Sequence, residues 1–165
     1  MKRRAIGEIS GVEAALRASE EKYRTLVDHL PAVTYRCMFG EQGEWLYVSP
    51  QIEPLLGYSP AEWSADSALW FNLLHPEDRA RAMAEETRVR EIGARYVVEY
   101  RLRARDGRTV WIHDEAWPIR DTAGRPAYLQ GVLLDITERK RAEETARESA
   151  HRYRMLVDSI EGIVW

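Results

Sequence analysis

The sequence predicts an α+β domain in which an antiparallel sheet is covered on one face by helices. Three observations carry this expectation. Between Ala94 and Ile136 apolar residues alternate at strand period, interrupted by the turn segments RDGR and DTAGRP. Between Pro50 and Gly93 the residues are those of helix starts and stops. At both ends of the chain apolar side chains recur in steps of three and four, the spacing of amphipathic helices.

The first helix carries a seam of Ile9, Val12, Leu16, Ser19, Tyr23, Leu26 and Leu30, and Pro31 halts it. AVTYRCMF then reads as a strand, because β-branched and aromatic residues alternate with others, and GEQG supplies a turn into a second short strand, EWLYVS. Pro50 opens a helical stretch, PQIEPLLGY, that Gly57 closes. Ser59 before Pro60 is an N-cap followed by proline at the first helical position, and Asp66 can cap SALWFNLL in the same way. His75 and Pro76 break that segment, and PEDRARAMAEETRVREI forms a longer charged helix ending at Gly93.

In RYVVEYRLRA, Tyr96, Val98, Tyr100 and Leu102 alternate with Val97, Glu99, Arg101 and Arg103, which gives one apolar and one charged face. The Asp-Gly pair of RDGR permits positive φ at a hairpin, and TVWIHDEAWPIRD runs back as the next strand. AYLQGVLLDI is a third long strand, and TERKRAEETARESAHRYRMLV a departing helix.

At 165 residues, with 45% hydrophobic and 10% aromatic residues, the chain has the size and the apolar content for one folded domain plus linkers. Its 24 basic and 27 acidic residues are mixed along the chain, so there is no broad positive field for a nucleic acid. The single cysteine, Cys37, has no disulfide partner, which fits a reducing cytoplasm. The basic start is not followed by the apolar run of a signal peptide, and no stretch approaches a membrane span.

SEEKYRTLVDHLPAVTY, starting at Ser19, is similar to SAHRYRMLVDSIEGIVW, starting at Ser149, at an offset of 130 residues. A repeat of that period has the size of a whole domain with its linker and points to a tandem array; the alternative is chance likeness between two amphipathic helices. The second copy has its own seam of Arg139, Ala142, Ala146, Ser149, Tyr153, Leu156 and Ile160. Such heptads suit a parallel coiled-coil homodimer with Ile9, Val12, Leu16, Tyr23 and Leu26 in its seam, or a single helix folded onto its own domain. The expected organisation is a linker helix over 1–18, a folded domain over 19–136, an exit helix over 137–158 and the start of a second repeat over 159–165.

Over approximately residues 20–141 the chain resembles the PAS family. The motifs that carry the resemblance occur in order: YRTLVDHLPAVTYR, LYVSPQIEPLLGYSPAEW, LLHPEDR, EYRLRARDGRTVWIHDEAWPIRDTAGRP and GVLLDITERKRAE, the last similar to the family's Asp-Ile-Thr exit motif. The resemblance implies a five-stranded antiparallel sheet and a sensor role in which a change in the pocket passes to the exit helix. At that joint, Asp135 can accept hydrogen bonds from the loop around the sheet, Ile136 follows, and Thr137 can cap the exit helix. The same residues also read as an ordinary strand end and cap.

Flavin-binding members hold a reactive cysteine in an Asn-Cys-Arg-Phe-Leu-Gln segment where this chain has SADSALWFNLLHPEDR, and Leu133 stands where those members place a glutamine. Haem-binding relatives take an axial histidine from the long helix, and AMAEETRVREIG has none. Flavin and haem are therefore disfavoured, and His75 reads as a structural residue at a helix start. The expected pocket is lined by Tyr35, Cys37, Leu56, Trp63, Trp70, Phe71, Tyr100, His113 and Leu133. It either takes a small organic ligand through apolar burial and one or two polar contacts, or it is packed solid.

No nucleophile elbow, phosphate-cradling loop or metalloprotease helix is present. Asp114 and Glu115, adjacent on a strand, point to opposite faces and form no acid–base pair. The chain is thus expected to be a regulatory module rather than an enzyme. Its output would be a downstream diguanylate cyclase or phosphodiesterase, or else a histidine kinase. The competing reading is a ligand-free interaction module that sets dimer geometry.

Overall fold

The computed structural model describes residues 31–40 and 43–161. Five strands, β1 (Ala32–Cys37), β2 (Trp45–Val48), β3 (Tyr96–Arg103), β4 (Thr109–Arg120) and β5 (Pro126–Asp135), form one antiparallel sheet in the order β2-β1-β5-β4-β3. The first and last strands of the chain's two hairpin regions meet at the centre, where β1 pairs with β5. Four helices lie between β2 and β3: α1 (Ile52–Leu56), α2 (Pro60–Ala65), α3 (Leu69–Leu73) and α4 (Pro76–Ile92). The departing helix is α5 (Thr137–Glu161).

The strand alternation seen in the sequence sets the two faces. Tyr96, Val98, Tyr100 and Leu102 of β3 are buried, as are Val110, Ile112, Asp114 and Ala116 of β4, and both rows face the helices. Val33 and Tyr35 of β1, and Leu129 and Leu133 of β5, complete the inner face and join Ile52, Leu56, Trp63, Ala82 and Val89 in one core.

Local chemistry explains the helix boundaries. Gly57, at φ 82°, closes α1 in the left-handed conformation that glycine adopts without strain. Ser59 starts α2 with a reciprocal capping box to Glu62 and Pro60 in the first turn. His75 caps α4, its Nδ1 accepting from Glu77 N, and the chain leaves α4 through Gly93. Asp66 differs from expectation: it accepts from Ala68 N at 3.0 Å in a turn, and α3 begins one residue later without a side-chain cap.

Two strand ends are also shorter than the apolar runs suggest. β1 stops at Cys37, where a bulge opposite β2 shifts the register, and β2 has four residues. α5 runs to Glu161, past the expected boundary at 158. The N-terminal seam of Ile9, Val12, Leu16, Tyr23 and Leu26, the centre of the GEQG turn and the last residues of the second repeat lie outside the described residues.

The HPEDR segment bolts α4 to the edge of the sheet. Asp78, 4% exposed, accepts from the backbone N and the Nε of Arg101 at 2.9 and 2.8 Å, while His75 N donates to Arg101 O. Burial opposes the charge on Asp78, but the hydrogen bonds from Arg101 and Arg81 hold its carboxyl at about 2.

Candidate functional site

Two regions of the sheet hold unusual polar chemistry, one on each face. On the inner face, Asp114 is 3% exposed and faces the helices from the middle of β4. Tyr35 of β1 donates to its Oδ1 at 2.7 Å and Tyr100 of β3 to its Oδ2 at 2.6 Å, while Trp70 Nε1 of α3 donates to the Tyr100 hydroxyl at 3.0 Å. Every donor in this chain runs towards the carboxyl. Burial raises the Asp114 pKa to about 7, against the pull of its two tyrosine hydrogen bonds, and burial beside that carboxyl pushes both tyrosines well up.

Tyr35 reaches Asp114 across β5, and a glycine makes that possible. Tyr35 pairs with Gly131, and Gly131 in turn pairs with Ala116. A Cβ on Gly131 would lie 2.6 Å from Ala116 Cβ, 2.7 Å from Glu115 O and 2.8 Å from the Tyr35 ring, so only glycine lets the ring lie over β5.

Beside this network is a cavity of about 30 Å³, walled by Tyr35, Cys37, Trp45, Trp70, Tyr96 and Asp114, with Glu86 of α4 also in its lining. That volume holds one or two water-sized groups, whereas drug-sized ligands occupy pockets of roughly 300–1,000 Å³. Glu86, 6% exposed, accepts from Gly40 N at 2.6 Å and ties α4 to the end of β1. The Tyr96 hydroxyl is buried and has no hydrogen-bond partner. Burial pushes the Cys37 thiol up, which keeps it protonated and unreactive.

The expected pocket residues separate accordingly. Tyr35, Cys37 and Trp70 line the cavity, and Tyr100 stands behind them in the network. Leu56, Trp63 and Leu133 are fully buried core side chains, Trp63 meeting Trp45 edge-on with ring centroids 5.4 Å apart. Phe71 is half-buried under the Arg79 guanidinium. His113 has to be corrected: it lies on the outer face, its ring nitrogens 3.6 Å from Glu99 and from Glu115. Period-two alternation requires this, because Asp114 beside it points inward.

The outer face carries the second region. Lys140 and Arg139, in the first turn of α5, both pair with Glu99 of β3, and Lys140 Nζ lies 5.0 Å above the Trp111 ring of β4. The side-chain hydrogen bond from Lys140, followed by that from Arg139, holds Glu99 at about 2. The backbone of Trp111 is clamped on both sides: its N–H donates to Thr137 Oγ1 at 3.0 Å and its carbonyl accepts from Ile136 N at 2.9 Å. Asp135 Oδ1 accepts from Thr137 N at 2.8 Å. Asp135 is thus an acceptor at the joint, taking the first N–H of α5, whereas the Thr137 hydroxyl, expected as a cap, ties the helix start to the sheet.

Among the described residues no cluster of histidine, cysteine and carboxylate could hold a metal ion, and no helix is long and apolar enough to cross a membrane. The family described as the PAS fold matches residues 45–133, more than half of the chain. The two-component sensor PprA of Pseudomonas aeruginosa is 31% identical over 162 residues, covering 92% of this chain and 16% of that protein. Among solved structures, the sensory box histidine kinase/response regulator of Burkholderia thailandensis superposes with a TM-score of 0.66 at 30% identity, over 81% of this chain and 98% of that one. The N-terminal domain of a diguanylate cyclase with PAS/PAC sensor from Marinobacter aquaeolei superposes at 0.59 and 30% identity, over 66% and 98%. The chain spans less than a quarter of the length of the curated relatives it matches here.

Proposed function

The chain belongs to the PAS fold family, and from that premise we propose that it is the sensory module of a larger signalling protein, passing the state of its inner cavity to an output domain through α5. One observation carries the reading. Trp111, three residues from Asp114 on the same strand, is the point at which both backbone hydrogen bonds and a cation–π contact seize the start of α5. A shift of β4 caused at Asp114 would move the helix start clamped to it, because packed strands shift as units.

The matched relatives support an output of either histidine kinase or diguanylate cyclase type. The 130-residue repeat supports a second such domain after α5. Tyr153, on the seam of α5, is 70% exposed, which supports pairing of two copies along this helix as a homodimer. The lone cysteine and the mixed charge favour a cytoplasmic module without a nucleic-acid partner.

Flavin and haem do not fit the residues present. Among the described residues no histidine lines the cavity, its cysteine lies on β1 with a raised pKa, and its volume is far below that of either group. The same small volume favours a second reading, a ligand-free module that sets dimer geometry.

Amide hydrogen exchange separates the two. If the cavity communicates with the exit, Asp114→Asn changes protection of the Ile136 and Lys140 amides several-fold, while those of α2 stay as they were. Unchanged protection at Ile136 would leave only the dimer-setting role.

A further inference from the structure

We propose that the inner cavity is a binding site for a small ammonium cation, of the size of ammonium or methylammonium. The inference rests on the sensory reading only for its consequence; the site stands on its own geometry.

The first argument is charge. Asp114 lines the cavity from the sheet, with Glu86 of α4 in the same lining, and among the described residues no lysine, arginine or histidine lines it. Among the described residues, the titratable groups that face Asp114 are Tyr35 and Cys37 from β1 and Tyr96 and Tyr100 from β3, Glu86 of α4 acts on Cys37 and Tyr96, and none of them is a base. A positive charge brought here would meet the Asp114 carboxylate at low dielectric, where the attraction is largest.

The second argument is hydrogen bonding. An ionised carboxylate offers about two acceptor positions on each oxygen. Tyr35 takes one on Oδ1 and Tyr100 one on Oδ2, so each oxygen keeps another. Tyr96, 2% exposed, presents a hydroxyl in the same wall with no partner at all. A buried orphan of this kind costs free energy unless something enters to pair with it. An ammonium group brings N–H donors and no acceptor, which matches an orphan hydroxyl beside a carboxylate.

Shape supplies the third argument. The rings of Trp45, Trp70, Tyr35 and Tyr96 wall the space, and aromatic faces attract cations. A volume of about 30 Å³ admits a water-sized head and one methyl group and excludes a quaternary ammonium.

The test is thermal unfolding of the whole chain in methylammonium chloride, against potassium chloride of equal ionic strength and against tetramethylammonium chloride. Methylammonium should raise the midpoint saturably, as a ligand of the folded state does, and more at pH 8 than at pH 6, because the cation binds ionised Asp114. Asp114→Asn should abolish the rise. Tyr96→Phe, which removes only an unpartnered hydroxyl and keeps the fold, should weaken binding about tenfold, the loss of one charge-assisted hydrogen bond. An equal rise in potassium chloride, or an undiminished response in Tyr96→Phe, overturns the site. Absence of any saturable rise overturns it too, whatever the amide exchange at Ile136 shows about the sensory reading. Saturable binding that leaves Ile136 exchange untouched upholds the site and counts against coupling to α5.

Discussion

Asp114 and Glu99 are carboxylates on neighbouring strands of one sheet, yet their surroundings drive them in opposite directions. Asp114 faces inward, loses its water and rises from an ordinary 3.8 to about 7. Glu99 faces outward, meets Lys140 and Arg139, and falls from 4.5 to about 2. The difference shows how a sheet two residues deep in period separates two kinds of chemistry. The inner face keeps a group whose charge is costly and therefore responsive, while the outer face keeps a group whose charge is satisfied and therefore fastens a helix.

The largest expected effect breaks the inner half of this pair. Because the folded-state pKa of Asp114 is raised, its contribution to stability is complete below pH 3.8 and is lost as pH rises through about 7. At about 1.4 kcal/mol per unit, the wild type should lose on the order of 4 kcal/mol between pH 4 and 8 relative to Asp114→Asn. Urea unfolding of both proteins across that range measures it, and parallel pH profiles would deny the buried charge.

Gly131→Ala comes next. Its Cβ would strike the Tyr35 ring and the β4 backbone, so the cost should be about 1–3 kcal/mol in thermal or denaturant unfolding. The Tyr35 hydrogen bond to Asp114 should be lost with it. Tyr35→Phe in the same background should then add little, a double-mutant cycle that sharpens the assignment of this glycine.

Glu99→Gln should cost least, no more than about 1 kcal/mol, because the pairs it removes are partly exposed and screened by water. The pH sign is reversed on this face: the contribution of Glu99 is present above 4.5 and lost as pH falls through about 2. Its larger signature should be local, as faster amide exchange at Lys140 than in the wild type.

Most of the fold was legible in the sequence, because it follows from short-range rules. Alternation in 95–136, the capping box at Ser59 and the Asp-Gly hairpin each act within a few residues and survive packing. The candidate site was less legible. Asp114 and Glu115 were rightly put on opposite faces, but the partners of Asp114 lie 79 and 14 residues away and meet it only once β1, β5, β4 and β3 are in order. The placement of His113 in the pocket contradicted the same alternation that turns Asp114 inward. A polar residue in an otherwise apolar inward row, Val110, Ile112, Asp114, Ala116, was the available signal. A glycine on the facing strand was its companion.

The central claim is that the inner carboxyl and the outer joint are coupled through β4. It is tested most directly by following the backbone amide resonances of Trp111 and Ile136 by NMR from pH 5 to 9. The account predicts an inflection near pH 7 in the wild type that is absent from Asp114→Asn, a variant that keeps His113. Equal titration curves in the two proteins, with the Asp114 carboxyl itself titrating near 7, would contradict it.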